Sequence, residues 1–230
     1  EDDNLHNVEE NIRLVEKLVG KKIDNIPPLL LNLRNDDHEF AGIFLKEHSI
    51  KENDLVIGFH PGCSSLKNHD KRRWELTKFA ELGKRLIDKF NAKILIFGGG
   101  EEEVLKEMII AEIGSPNAHA VNAFKLTNTA AVINRCNLFI TNDSSLMHVA
   151  SALKLNVIAI IGPTNTNYIR PWQTDHQIAS LNLDCSPCFY YSPKPLICSR
   201  DDVKFKCIKE LSVDMVFEKA AAQIKNLRHV

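Results

Sequence analysis

Residues 138–164, LFITNDSSLMHVASALKLNVIAIIGPT, decide the fold. Leu138 to Thr141 and Val157 to Ile161 are short apolar runs, and Met147, Ala150, Ser151 and Leu153 between them share one helical face. The two runs are continuous rather than alternating, as expected of strands covered on both sides. Strand, helix and strand in that order imply a parallel pair with a right-handed crossover. The turn between the first strand and the helix carries Asn-Asp-Ser-Ser, with His148 one helical turn further on. A structural turn needs less polar chemistry than that.

The same texture extends outward. LVIGF at 55–59 and ILIFG at 94–98 read as buried strands, Ala120 to Asn122 as a short one and Ile178 to Leu181 as a last one. Between them lie helices over 75–90, with Leu76, Phe79, Ala80, Gly83, Leu86, Ile87 and Phe90 inward, over Glu102 to Ile113 and over Leu126 to Arg135. Ser212 caps a closing helix that runs to Leu227. Alternating strands and helices predict an α/β, doubly wound parallel sheet over residues 55–230. Residues 1–54 read as a helix and linker segment. Leu5, Val8, Ile12, Val15 and Leu18 form a stripe that ends at Gly20, and Pro27-Pro28 mark an extended crossing. A short helix follows from Asp36 to Glu47, capped by Asp36 or Asp37.

Composition narrows the function classes. The 230 residues carry 29 basic and 30 acidic side chains, net −1, which excludes a global field for nucleic acid or an anionic membrane. No run reaches the ~18 apolar residues of a membrane span, and EDDNLHNVEE at the start is unlike a signal peptide. The expectation is a cytoplasmic protein, trimmed or processed because it starts at Glu1 rather than Met. Six cysteines are too few for a disulfide scaffold. Cys185 and Cys188 form a C-x2-C, but Cys198 and Cys207 are not a second tight pair, so thiols, one disulfide and a structural metal all stay open.

In a doubly wound sheet the turns after the strands meet at one rim, where ligands bind. Four such turns are polar: HPGCSSLKNHDKRRW, GGEEE, NDSSLMH and GPTNTN. With Asp143 or Ser144 as helix cap, the N–H groups of Ser145, Leu146 and Met147 make an anion seat, aided by Ser144, Ser145 and His148. An ordinary cap with a core-facing histidine is the plainer reading. In the first turn Gly62 permits close approach, Ser64 and Ser65 donate, and Lys71, Arg72 and Arg73 would neutralise a diphosphate unless they form a solvated basic stretch. Glu101 to Glu103 place a carboxylate where a ribose would be held, or merely complement a helix N-terminus. Gly162, Pro163 and Thr164 give the fourth turn a polar lip, assigned to ribose and base through Gly162 and Thr164. The sum is a nucleoside-diphosphate pocket without a Walker sequence or a G-x-G-x-x-G fingerprint.

In this order HPG…KRRW-x4-FAEL, FGGGEE, TNDSSLMHVASAL and IIGPT resemble the C-terminal half of glycosyltransferase family 9, which includes the ADP-heptose:lipopolysaccharide heptosyltransferases. The late CSPC…C…C is similar to many members too. The likeness runs from about Leu55 to the end, with Leu5 to Glu47 resembling the connection out of an N-terminal domain.

The resemblance implies a Rossmann-like domain of a GT-B glycosyltransferase that holds a nucleotide-sugar donor and transfers without a catalytic metal or cofactor. Asp143, Ser144, Ser145 and His148 would then lie on the donor diphosphate and sugar, and Glu102 or Glu101 on the ribose. Ser64 or Ser65 would touch phosphate, and Lys71 or Arg72 would neutralise the leaving group. Two departures stand out: Ser145 replaces a common glycine, and Arg72 replaces a lysine two residues before Trp74. The acceptor, a lipid-linked lipopolysaccharide-core saccharide, and the catalytic base would belong to a missing N-terminal domain. This chain alone would therefore be inactive, and the whole enzyme cytoplasmic or peripheral at the inner face of the bacterial inner membrane. Competing readings are a stand-alone nucleotide-diphosphate-binding module, another GT-B-like enzyme such as a 2-epimerase, and a zinc-stapled interaction domain.

Overall fold

In chain order, helices α1 (Asn7–Val19) and α2 (Asn35–Glu47) precede strand β1 (Val56–His60). Then come α3 (Leu76–Phe90), β2 (Lys93–Ile96), α4 (Glu103–Ile113), β3 (Ala118–Ala120) and α5 (Leu126–Ile133). The chain continues through β4 (Leu138–Asn142), α6 (Ser145–Ala152), β5 (Asn156–Ile160) and α7 (Thr166–Ile169). It closes with β6 (His176–Ala179), α8 (Lys206–Lys209) and α9 (Val213–Leu227). This computed structural model describes residues 2–189 and 194–227.

The strands form one six-stranded sheet in the order β3-β2-β1-β4-β5-β6, and every pairing is parallel. The order reverses between β1 and β4, the switch point where an open α/β sheet leaves a crevice beyond its strand ends. The expected α/β, doubly wound fold is therefore the observed one. The cause is visible residue by residue. Ile57, Phe59, Phe139, Ile140, Ile158 and Ile160 have no exposed surface, and the alternation of side chains along each strand feeds two cores. Ile57, Ile140 and Ile158 pack under α3, α4 and α9, with Trp74, Phe79, Leu86, Val216 and Ile224. Phe139, Val157 and Ile161 pack on the other face with α2, α5 and α6, through Phe44, Val132 and Met147.

The helix patterns hold with corrections. Leu82 joins the buried residues of α3, which periodicity did not single out, whereas Leu76, Ile87 and Phe90 pack at its edge. The Ser212 hydroxyl accepts the Met215 N–H at 3.3 Å, so α9 is capped as expected. Neither Asp36 nor Asp37 caps α2. Arg34 is the cap residue, and the Asp37 carboxylate reaches back to its N–H at 2.9 Å, as an acid at the third helical position can. Strand β3 begins two residues before the expected Ala120, and β6 two before Ile178.

Helix α1 forms, and Gly20 ends it in the left-handed conformation at φ 68°. Its apolar stripe is not buried: Val15 is 41% and Leu18 86% exposed. The helix is anchored at its start, where His6 stacks on Trp172 with centroids 4.6 Å apart and its Nε2 lies 2.8 Å from the Arg170 carbonyl. No helix among the described residues is long and apolar enough to cross a membrane.

Ile140 sits fully buried on β4, with β1 and β5 on either side. Ile140→Ala should destabilise the fold by about 2–5 kcal/mol, the usual cost of removing a packed aliphatic chain. Urea unfolding followed by circular dichroism would measure it, and a loss near zero would contradict this core.

Candidate functional site

Two side chains pin the turns at the switch point. Asn142, the last residue of β4, donates through Nδ2 to the Pro61 carbonyl at 2.7 Å and accepts the Trp74 N–H at 3.1 Å. It thereby clamps both ends of the long turn after β1. Next to it, Asp143 pairs with Arg72 and accepts the Thr164 hydroxyl at 2.7 Å. Arg72 and Asp143 are each 3% exposed, so this ion pair is cut off from water.

Above these pins lies a cleft of about 420 Å³ whose lining includes His60, Ser64, Arg73, Glu101, Glu102 and Ser145. It collects turns from β1, β2 and β4. A fourth side comes from the turn after β3, where Phe124 is fully exposed and Leu126 is 59% exposed. Arg73 anchors itself by one bond to the Cys63 carbonyl at 2.5 Å, and its Nε has no hydrogen-bond partner.

Glu102 is built into the floor. Its Oε2 accepts the Gly99 N–H at 2.9 Å and lies 3.2 Å from His60 Nε2. A β-carbon at Gly62 would sit 1.5 Å from Glu102 Oε1, so any other residue there would displace the Glu102 carboxylate from this position. Burial pushes the Glu102 carboxyl up, but the His60 hydrogen bond and charge, the Gly99 N–H and Arg73 outweigh it and hold it below its usual range. Behind the wall, Lys106 is buried and donates to the Val121 carbonyl at 3.1 Å and to Asn122 Oδ1, joining the turns after β2 and β3. Burial lowers its ammonium below the ordinary lysine value.

Ser144 is the cap residue of α6, but its hydroxyl makes no capping bond. It lies instead 2.8 Å from His60 Nδ1 and 3.0 Å from Thr141 Oγ1. The Met147 N–H turns back to the Ser144 carbonyl at 3.2 Å, so the expected set of three open amides shrinks to two. The N–H groups of Ser145 and Leu146, first in the helix, have no partner within it, and both residues line the cleft.

The remaining expected residues are scattered. Ser65 is exposed beside the cleft, and Lys71 pairs on the surface with Asp70 at 3.3 Å. Arg72 is committed to Asp143, so the cation that lines the cleft is Arg73 rather than either assigned one. His148 lies on α6 outside the lining, and burial lowers its ring below the usual histidine value. Gly162 and Thr164 line a separate cleft of about 260 Å³, with Asn165 and Ser186. His60, Phe124 and Leu126 were not anticipated. A histidine ending a strand and an exposed phenylalanine between strand and helix were the available signals.

Cys185, Cys188, Cys198 and Cys207 are thiols. Burial first, then the neighbouring thiols, push Cys188 up and Cys207 up to about 11. Cys185 Sγ accepts from Arg200 at 3.5 Å, and Cys198 Sγ accepts the Phe205 N–H at 3.2 Å. Among the described residues no group of three His, Cys, Asp or Glu side chains is arranged to hold a metal.

Arg72→Met should cost roughly 3–5 kcal/mol of stability, because it strands the Asp143 charge away from water. Arg72→Met with Asp143→Leu should recover part of that loss. Chemical denaturation of the two variants checks this; equal losses would show that the pairing is not what matters.

Comparison with known proteins agrees with this architecture. The chain is 31% identical over 182 residues to lipooligosaccharide heptosyltransferase 2 of Campylobacter jejuni, covering 77% of this chain and 53% of that protein. It is 29% identical over 129 residues to lipopolysaccharide heptosyltransferase 2 of Escherichia coli K12, covering 54% and 36%. Among solved structures, the E. coli ADP-heptose LPS heptosyltransferase II superposes with a TM-score of 0.69 at 20% identity, over 90% of this chain and 56% of that one. The family 9 glycosyl transferase of Veillonella parvula gives 0.66 at 28% identity, over 76% and 48%. The chain thus spans about half the length of these relatives. The model of glycosyltransferase family 9 (heptosyltransferase) matches residues 1–195, all of the sheet and all of the cleft, and the chain belongs to that family.

Proposed function

We propose that this cleft binds the nucleoside diphosphate of an activated sugar, and that the chain is the donor-binding part of a heptosyltransferase-like enzyme. One observation carries the reading: Ser64, Arg73, Glu102 and the open start of α6 meet in a single cleft at the switch point of the sheet. The free amides of Ser145 and Leu146 at the positive end of a helix suit a phosphate. Arg73 supplies the charge-assisted donor. Glu101 and Glu102 offer carboxylates for ribose hydroxyls, and Phe124 with Leu126 forms an apolar lip suited to a flat base.

In the proposed reaction an acceptor hydroxyl displaces the diphosphate at the anomeric carbon of the sugar. Negative charge grows on the leaving diphosphate, where the α6 amides and Arg73 would stabilise it without reorganising. No metal is required for that role, and none is assigned. Ser65, Lys71 and His148 are not among the lining residues and would act only on a larger ligand, as would Gly162 and Thr164 from their separate cleft.

The relatives' names point to a heptose donor and a lipopolysaccharide or lipooligosaccharide acceptor. For this chain we assign the same classes: an ADP-heptose-like donor and a lipid-linked saccharide acceptor at the inner face of the bacterial membrane. The catalytic base and the acceptor site would come from the part of those relatives that this chain does not span. Residues 1–54 would be the connecting segment, and the chain alone would bind donor without transferring sugar.

Isothermal titration with ADP, UDP and GDP tests the reading. ADP should bind, and Arg73→Ala should weaken it about 10–100-fold, the worth of a charge-assisted hydrogen bond. Phe124→Ala should weaken it about 5–100-fold if the base stacks there. Folded protein that binds none of the three diphosphates would overturn the proposal.

A further inference from the structure

The hydrogen bonds that cross the cleft floor form an unbroken row. The Thr141 hydroxyl donates to the Asn142 carbonyl at 2.8 Å. Thr141 Oγ1 and Ser144 Oγ are 3.0 Å apart, Ser144 Oγ and His60 Nδ1 2.8 Å, and His60 Nε2 and Glu102 Oε2 3.2 Å. Thr141, Ser144 and His60 are all buried, His60 to 3% exposure. Buried polar groups of this kind are almost always fully paired.

Each of the four contacts needs its own proton. The two hydroxyls bring one each and a neutral imidazole one more, which leaves one contact without a proton. The count also has a direction. Thr141 spends its hydrogen on the Asn142 carbonyl, so Ser144 must donate to Thr141, and His60 Nδ1 must donate to Ser144. Nε2 then faces Glu102, whose carboxyl is held below its usual range and so is ionised at neutral pH, with no proton to give. Only a second ring proton closes the row.

We infer that His60 is held as a doubly protonated imidazolium and is a positioning residue that locks Glu102 and Ser144 into their places in the cleft. Its charge is balanced by Glu102 at the start of α4. The other charged groups around it are Arg73 and Glu101, which line the same cleft, and the mutually paired Arg72 and Asp143 beyond Ser144. The consequence reaches the anion seat. With both ring protons present, the Ser144 hydroxyl is drawn to the ring and to Thr141, away from the cap of its own helix, and the Ser145 and Leu146 amides stay open. A ring with one proton leaves the row a hydrogen short, freeing Ser144 to turn onto those amides and close the seat.

The inference concerns the ligand-free protein and is independent of which ligand the cleft takes. Nitrogen-15 NMR of the histidine rings at neutral pH reads it directly. Two protonated nitrogens are expected for His60 in the native chain and in Glu101→Gln, which removes a charge from the cleft without touching the ring. Thr141→Val removes the hydroxyl and with it two contacts and one proton, and leaves every charge in place. The two remaining contacts then close with a neutral ring, and the doubly protonated fraction should fall. Glu102→Gln should lower it as well. A single protonated nitrogen in the native chain overturns the inference, and so does a Thr141→Val ring that keeps both protons.

Discussion

A guanidinium and a carboxylate with almost no access to water, Arg72 and Asp143, have to find each other, because either alone inside the protein would cost several kcal/mol. Meeting that demand ties the turn after β1 to the turn after β4, the two strands between which the sheet reverses its order. Asn142 repeats the tie with neutral groups, one bond to each end of the first turn. These bonds set the turns after β1 and β4 against each other on one side of the cleft. Arg73 follows Arg72 in extended conformation, φ −74° and ψ 131°, so the two neighbouring side chains diverge. One goes into the protein and the other into the cleft.

That divergence explains which parts were legible in the sequence. Continuous apolar runs such as 138–141 and 157–161 announced the central strands, because burial on both faces leaves little freedom in composition. The outer strands are only three and four residues long and carry polar residues such as His119 and Gln177, and both were placed two residues late. The turn that carries Phe124 lay between the expected strand and helix, but it lacks the run of polar residues that marked the other turns, so that wall of the cleft went unread. Among Lys71, Arg72 and Arg73 the composition is the same at each position, and only backbone dihedrals separate a buried pair from a cleft cation.

Helix α1 and its Gly20 terminus were legible as well. But periodicity records that a helix has an apolar face, not that the same chain buries it, and no residue of α1 is fully buried. The convergence of turns at one rim was legible because it is a property of the topology. Once parallel strands are ordered with a reversal, their outgoing turns share a rim whatever the loops contain. A net charge of −1 is compatible with anion recognition in such a place, because Arg73 and two helix amides act over a few ångströms.

The carboxylate of Glu102 lies where any β-carbon at position 62 would have to be. Positions 62 and 102 are 40 residues apart in sequence, yet they cannot vary independently. A lineage that first shortens residue 102 opens room for a larger residue at 62. Once that room is filled, a restored glutamate cannot regain this carboxylate position until the glycine returns. The order of substitutions is thereby constrained by one steric overlap, and the path back to this cleft is a narrow one.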